Sequence, residues 1–263
     1  MDPPLINAAL ALYLAACVAA VLYLLGRPVF LYRISISAAT GGFAALSLGI
    51  ALRWMHAGHA PLTTLYETAV FLAWASWAVA LALLVPRRMR EPAALAPFVC
   101  AACLAGASTL DPSIRPLVPA LRSNWLIVHV AASFLGYAGF AAGCAAGIGT
   151  AFALRRGKPA DGWERSATLC IRFGFLFLTY GILTGSVWAN EAWTTWWGWD
   201  PKETWALLTW LFYLAFLSLR SRTGASRRRR ARLTALFSVA GLPFVLFTYL
   251  GVSFLLPGLH SYL

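Results

Sequence analysis

Charged side chains are scarce in this sequence, and their scarcity argues against a soluble fold. Only 11% of the 263 residues are Asp, Glu, Lys or Arg, and 60% are hydrophobic. A soluble domain of this size carries about 25% charged residues, so most of the surface is expected to face lipid. No gap between apolar runs is long enough to form a separate soluble domain, which predicts one polytopic membrane domain over residues 1–263.

Acidic residues are few as well, and neither a disulfide framework nor a cleaved leader is expected. The chain has 9 Asp and Glu against 21 Lys and Arg, but the arginines lie in short loops, so there is no basic face for nucleic acid. We expect no cleaved signal peptide, because the sequence starts without a basic region and a cleavage site. A disulfide framework is unexpected, since apolar runs contain all five cysteines: Cys17, Cys100, Cys103, Cys144 and Cys170.

Eight apolar runs are each long enough to cross a bilayer, which takes about 20 apolar residues in a helix. In lipid, only a helix or a closed barrel pairs all backbone polar groups. The fold prediction is therefore an all-α membrane protein with about eight transmembrane helices. These spans are predicted at 6–25, 34–52, 64–84, 93–110, 125–154, 168–188, 203–219 and 233–256.

The positive charges alternate between the predicted loops. Seventeen of the 21 Lys and Arg lie in or beside the odd-numbered loops. Because cytoplasmic loops are enriched in Lys and Arg, this bias predicts cytoplasmic odd loops and both termini outside. All four histidines then lie at or near the outer face: His56, His59, His129 and His260.

Tryptophan is concentrated in one segment, residues 188–210, which holds seven of the twelve tryptophans. The i, i+3, i+4 spacing of Trp193, Trp196 and Trp197 predicts a short interfacial helix with three indoles on one face, ended by Gly198. An aromatic belt would scatter tryptophans over all spans. A rigid platform of indoles in one loop instead suits a flat apolar ligand such as a porphyrin.

Two acidic residues near the outer helix ends have a structural interpretation. Asp200 is a good N-cap, Pro201 suits the first helical position, and Glu203 completes a capping box. Thr64 and Glu67 repeat the pattern before the third span. Capping is the preferred interpretation, although an ionisable group at the membrane edge also raises a functional interpretation.

The Trp-rich segment, with Trp-Trp-Gly-Trp-Asp-Pro-Lys-Glu at 196–203, resembles the "WWD" domain of the CcsA/ResC family of System II cytochrome c biogenesis. The segments around His59, His129 and His260 are also similar to that family. The likeness extends from about residue 50 to the C-terminus. The family comprises haem-handling membrane subunits, so the resemblance implies the same for this chain.

The resemblance implies that haem b, bound non-covalently as substrate, is held at the outer face of a bacterial inner membrane with His129 and His260 as axial ligands. It also implies a CcsB/ResB-type partner subunit, with which the chain would join haem vinyl groups to the Cys-x-x-Cys-His thiols of apocytochrome c as part of a haem-lyase (synthase) complex. The haem platform would be Trp193, Trp196, Trp197 and Trp199, supported by Trp188, Asp200, Glu203, Trp205, His59 and Glu67.

Position 218 and, to a smaller extent, Thr64 depart from the family pattern, and alternative functions stay open. Family members often have, at the position of Ser218, a histidine that is assigned to an inner haem site. The resemblance therefore implies neither an inner haem site nor a route of haem entry for this chain. A haem exporter or chaperone of the CcmC type would share the tryptophan segment. A b-type cytochrome would hold haem between histidines deep within its helices, where this chain has none, and an unrelated transporter would carry charged pairs at mid-span.

Overall fold

The computed structural model describes residues 2–221 and 226–258, and within these ranges it is entirely helix and loop. The helices are α1 Asp2–Gly26, α2 Val29–Ala57, α3 Leu65–Val79, α4 Arg90–Ala107, α5 Asn124–Arg155, α6 Asp161–Trp193, α7 Pro201–Ser221, α8 Arg227–Leu246 and α9 Val252–Leu255. A wider π-helical turn extends α3 over Ala80–Leu84, and another joins α8 to α9 over Phe247–Gly251. The all-α prediction is confirmed.

Six of the described helical stretches are long and apolar enough to cross a membrane. They are Pro4–Gly26, Val29–Ala57, Leu65–Leu84, Asn124–Arg155, Asp161–Trp193 and Arg227–Leu255. These stretches make the chain a multi-pass membrane protein. Helices α4 and α7 are not among them. The first turn of α4 carries Arg90, Glu91 and Pro92, and the first turn of α7 carries Lys202 and Glu203, so neither is apolar throughout. A count of eight spans stays a prediction.

The chain divides into two compact units, of which the first is Met1–Pro116. In it α1 packs along α2 and α4, and α3 packs along α4. Tyr13 and Trp77 are completely buried, with their rings in edge contact at a centroid distance of 6.4 Å. Helix α2 ends at Gly58, whose φ of +70° suits glycine and whose N–H donates to the Trp54 carbonyl at 3.0 Å.

The second unit is Leu117–Leu263. Helix α5 packs along both α6 and α8, and α7 packs against the same two helices. Phe140 of α5 and Tyr213 of α7, both fully buried, stack with centroids 3.8 Å apart. The single domain expected from the sequence stays a prediction.

Glycine lets α5 and α6 approach each other backbone to backbone. A Cβ on Gly139 would lie 2.9 Å from the Cα of Gly174, and one on Gly136 would lie 3.0 Å from the amide nitrogen of Leu178. Membrane helices use such small residues at close contacts, because packing rather than the hydrophobic effect holds them together in lipid. This close contact places the start of α5 beside the second half of α6.

Candidate functional site

His129 occupies the second turn of α5, where its side chain meets α6. Its Nδ1–H donates to the carbonyl of Gly181 at 2.7 Å. A carbonyl oxygen only accepts, so Nδ1 carries a proton, and Nε2 is the ring nitrogen that offers a lone pair when the imidazole is neutral. The ring also stacks on the indole of Trp188, with centroids 5.8 Å apart and planes inclined by 16°.

The space for this imidazole exists because position 185 is glycine. A Cβ on Gly185 would lie 2.5 Å from Nδ1 and 2.7 Å from Cε1 of His129. Gly181 and Gly185 are one helical turn apart and lie on the same face of α6. We call this pair the glycine notch: its first member binds the imidazole and its second leaves room for it.

Trp188 is held on several sides. Its side chain is almost completely buried, and its Nε1–H donates to the carbonyl of Ala120 at 3.0 Å. The edge of its ring system contacts Trp193 at a centroid distance of 4.7 Å. Ser123, which caps α5, also donates to Glu191 near the end of α6 at 2.5 Å. The beginning of α5 and the end of α6 are thus joined around His129.

The predicted interfacial helix over Trp193, Trp196 and Trp197 is wrong. Helix α6 itself continues to Trp193, and residues 194–200, here called the tryptophan loop, are not helical. The helix ends at Thr194, which adopts a left-handed conformation (φ +59°), rather than at Gly198. The i, i+4 bond from the Thr194 N–H to the Asn190 carbonyl ends α6 in the manner usually reserved for glycine. The three indoles therefore do not share one helical face.

The tryptophan loop presents its indoles to the surroundings. Trp196 is 57% exposed and Trp199 is 67% exposed. Trp197 and Trp199 meet edge to face, with centroids 5.7 Å apart. Trp199 also has a left-handed backbone, with φ of +56°. A bulky residue in that conformation is strained and is found where the surrounding structure imposes it, which occurs frequently at functional sites.

Glu203 and Asp200 fix the backbone where the tryptophan loop ends and α7 begins. One carboxylate oxygen of Glu203 accepts from the backbone N–H groups of Gly198 (2.9 Å) and Asp200 (3.2 Å). The Asp200 carboxylate accepts from the N–H of Lys202 at 2.9 Å, and the helix begins with a bond from Thr204 N–H to the Asp200 carbonyl. Both side chains therefore cap α7 as the sequence predicts, with Glu203 closing on the Asp200 N–H and Asp200 accepting from the N–H of Lys202.

The segment after α9 returns to this cap. A Cβ on Gly258 would lie 2.5 Å from Asp200 Oδ2 and 3.2 Å from Pro201. The Lys202 ammonium donates to Ser253 Oγ at 3.1 Å. Burial lowers the pKa of the Lys202 ammonium, and the Asp200 carboxylate acts in the opposite direction. The start of α7 and the end of the described chain are thus in contact.

The remaining predicted site residues lie elsewhere. Trp205 packs on Phe247, with ring centroids 4.2 Å apart, so in the structure it joins α7 to the turn after α8 rather than forming part of the loop. His59 and Glu67 belong to the first unit. His260 lies outside the described residues.

Glu67 has both a capping role and a charged partner. Its Oε2 completes a capping box with Thr64, as the sequence predicts. Its Oε1 accepts from the guanidinium of Arg53 at 2.9 Å, and these two side chains are 1% and 5% exposed. Arg53 also donates to the carbonyls of Pro112 and Ser113, at 2.9 and 3.2 Å. This buried pair fixes the loop after α4 to the ends of α2 and α3.

Sequence reasoning missed the glycine notch, the Ala120 carbonyl and the Arg53–Glu67 pair. The first had a readable signal, because Gly181 and Gly185 have the spacing of small residues that let membrane helices approach. The hydrogen-bond acceptor of Trp188 could not be predicted from the sequence, because it is a backbone carbonyl and every residue type has one.

Helical spans, together with an imidazole placed against a tryptophan-rich segment, are features of a membrane protein that handles haem. The family described as "Cytochrome C assembly protein" matches residues 62–260, and the chain belongs to this family. It is similar to "Cytochrome c biogenesis protein CcsA" of Prochlorococcus marinus (strain MIT 9303), with 38% identity over 82% of this chain and 80% of the relative. The CcsA of Parasynechococcus marenigrum (strain WH8102) is 37% identical over 92% of both chains. The resemblance to the CcsA family is confirmed.

A solved structure shares the fold. "Cytochrome c Heme Lyase CcmF" superposes with a TM-score of 0.63 over 95% of this chain at 19% sequence identity. The chain spans about half the length of that protein, since the match covers 49% of it. At this identity the similarity supports the fold alone.

Proposed function

We propose that this chain is the haem-handling subunit of a cytochrome c synthase and that it binds haem b non-covalently as a substrate. The iron lies between His129 and His260, and the porphyrin contacts the indoles of Trp193 and the tryptophan loop. The observation that carries this proposal is the placement of His129. Its Nδ1–H is bound to the Gly181 carbonyl, and its ring stacks directly on the first tryptophan of the Trp-rich segment.

The chemistry of these side chains fits haem. Neutral imidazole is a standard axial ligand to haem iron. A ligating histidine usually donates its other ring N–H to a carbonyl or carboxylate, as His129 does to Gly181. Exposed, rigid indoles offer flat apolar area against a porphyrin.

The position of the chain end supports His260 as the second ligand. Gly258, two residues before it in the sequence, lies against Asp200 at the end of the tryptophan loop. A series of contacts therefore runs from His129 through Trp188 and Trp193 to the loop, and from Asp200 to Gly258. Gly258 thus contacts the Trp-rich segment at Asp200, whereas His129 contacts the start of the same segment at Trp188.

The proposed reaction is the addition of two cysteine thiols of apocytochrome c to the two haem vinyl groups. Each S–H adds across a C=C bond, so that a C–S and a C–H bond form and no external oxidant is needed. The reactivity belongs to haem. The protein contributes proximity and orientation, which can remove several kcal/mol of the barrier.

The topology is part of the proposal. The chain crosses a bacterial inner membrane eight times. Its odd-numbered loops carry most of the Lys and Arg, so both termini and the tryptophan loop lie on the periplasmic side. A CcsB/ResB-type membrane subunit completes the synthase.

Absorption spectra of the purified protein test the haem ligands. We expect His129→Ala and His260→Ala each to reduce haem occupancy and cytochrome c maturation in cells. His56→Ala is the matched control, because its exposed ring is engaged with its own helix through the Leu52 carbonyl. Full haem occupancy and maturation in both test variants would refute the ligand assignment.

Co-expression separates a synthase from an exporter. The chain is produced with only a ResB-type partner and a c-type apocytochrome in a host that has no other maturation system. Covalent cytochrome c is the expected product. Haem bound to the chain without any thioether product would favour an exporter of the CcmC type.

A further inference from the structure

We infer that one face of α6 binds an anionic phospholipid. This face, here called the α6 stripe, consists of Arg165, Arg172, Leu176, Tyr180 and Leu183. The two guanidinium groups bind the phosphate, and the three side chains that follow contact an acyl chain. The inference does not depend on the proposed function, because it requires only that α6 crosses a membrane, for which Asp161–Trp193 is long and apolar enough.

The members of the α6 stripe point in one direction. They follow one another at intervals of seven, four, four and three residues, which keeps them on one face of a helix with 3.6 residues per turn. Both arginines are exposed, and so are Leu176, Tyr180 and Leu183, at 61%, 59% and 60%. Helix α5 covers the opposite face of α6, where a Cβ on Gly174 would lie 2.9 Å from the Gly136 carbonyl oxygen.

Nearby carboxylates do not neutralise the arginines of the stripe. The first turn of α6 carries two acidic residues, of which Glu164 pairs with Arg220. The other, Asp161, pairs with Arg227 at 3.4 Å. Among the described residues, no carboxylate forms an ion pair with either arginine of the stripe. A phosphate group supplies the negative charge, and its oxygens match the fork of guanidinium donors.

The two arginines lie at the depth of a phospholipid headgroup. Arg172 lies about 6 Å inside the apolar run of 168–188, at 1.5 Å per residue. Because helical side chains lean toward the N-terminus, its guanidinium extends toward the nearer membrane surface. Arg165 lies about 5 Å outside the run, within a headgroup layer that is about 5–8 Å thick on each side. An exposed arginine at the depth of Arg172 is costly in lipid unless it reaches such a layer.

The apolar part of the stripe has the length of one membrane leaflet. From Arg172 to Leu183 the helix rises about 16 Å, and half of a hydrocarbon core of about 30 Å is about 15 Å. An acyl chain that starts at a phosphate on Arg172 therefore runs along Leu176 and Tyr180 and ends beside Leu183. This continuity of charged and apolar contacts suits an amphiphile rather than a soluble anion.

Native mass spectrometry of the full-length protein in detergent measures the affinity of each bound lipid. The probes are phosphatidylglycerol, which is anionic, and phosphatidylcholine with the same acyl chains, which has no net charge. Arg165→Gln and Arg172→Gln are the test variants. Arg229→Gln is the matched control, because it removes the same charge from the exposed first turn of α8, outside the α6 stripe.

We expect one phosphatidylglycerol molecule to bind more tightly than further copies and more tightly than phosphatidylcholine. Each test variant should weaken this binding about fivefold, which corresponds to about 1 kcal/mol for one arginine at a membrane surface. The control should stay within about twofold. Equal weakening in all three variants would show diffuse attraction and overturn the inference. Unchanged affinity in both test variants would also overturn it and leave the stripe to a protein helix.

Two further measurements complete the test. Inorganic phosphate should not displace the lipid, because it makes no contact with Leu176 or Leu183; displacement would show a site for a free anion and contradict the inference. Thermal unfolding in phosphatidylcholine checks the fold of each variant. If Arg172→Gln does not fold, Arg165→Gln decides alone, since its residue lies outside the apolar run.

Discussion

Replacing Gly185 by alanine adds one methyl group next to the candidate ligand. The new Cβ would lie 2.5 Å from His129 Nδ1, whereas ordinary contacts of a Cβ begin at 3.4 Å. The imidazole must therefore move by about 0.9 Å, or α6 must move away from α5. A shift of that size along the Nδ1–O direction would stretch the 2.7 Å bond to Gly181 beyond hydrogen-bonding range.

The expected loss follows from the contacts that the ring gives up. A hydrogen bond contributes about 1 kcal/mol, and an aromatic stack contributes about 0.5–1.5 kcal/mol. Without both contacts the ring is no longer held in place before haem binds, so binding would have to position it at a cost of up to about 2 kcal/mol, which is about 30-fold in affinity. Folding should change less, because alanine gains about 1 kcal/mol over glycine in a helix, which offsets part of the crowding.

Haem titration of the detergent-solubilised protein measures this effect, and thermal unfolding of the haem-free protein checks the fold. Gly162→Ala is the control, because this residue is in the same helix and an added Cβ there meets no atom within 4 Å. Haem affinity in Gly185→Ala equal to that of the control would refute the role of the glycine notch in placing His129.

Three further outcomes are expected. Arg53→Met and Glu67→Gln should each destabilise the first unit by about 3–5 kcal/mol, because each leaves a buried charge without its counter-charge, and the double variant should lose less than the sum in thermal unfolding. Glu203→Ala should lower stability by about 1 kcal/mol, whereas Glu203→Gln should retain most of it, because glutamine also completes a capping box; equal losses would contradict the cap. The Lys202 amine should titrate below the ordinary lysine range, and Asp200→Asn should lower its pKa further, as followed by NMR of ¹³C-methylated lysines. Between the lowered folded pKa and the unfolded value of 10.5, the unfolded state binds more protons, so Lys202 makes stability rise with pH in that window.

Hydrophobic run length predicted most of the helices, because lipid leaves a long apolar segment few alternatives to a helix. The run at 125–154 corresponds to α5 at Asn124–Arg155. Helix α6 extends well beyond its apolar run of 168–188 at both ends, to Asp161 and Trp193. The run marks only the part suited to lipid, whereas backbone bonds continue the helix outside it.

The tryptophan loop shows where periodicity misleads. The spacing of Trp193, Trp196 and Trp197 suits a helix, but the backbone leaves the helix at Thr194. Glu203 and Asp200 draw the next residues toward the start of α7 through side-chain bonds to the backbone. The sequence identified these caps, but the conformation that they impose on the preceding loop depends on tertiary contacts that spacing does not encode.

The left-handed backbones at Thr194 and Trp199 lower the stability of the folded chain and fix the arrangement of the indoles in the tryptophan loop. Non-glycine residues in that region each cost about 1–2 kcal/mol. Substituting glycine at Thr194 would therefore make the protein more resistant to unfolding while loosening the indoles that follow it. Selection for thermal stability alone would be expected to accumulate such changes, and selection for maturation of cytochromes would be expected to remove them.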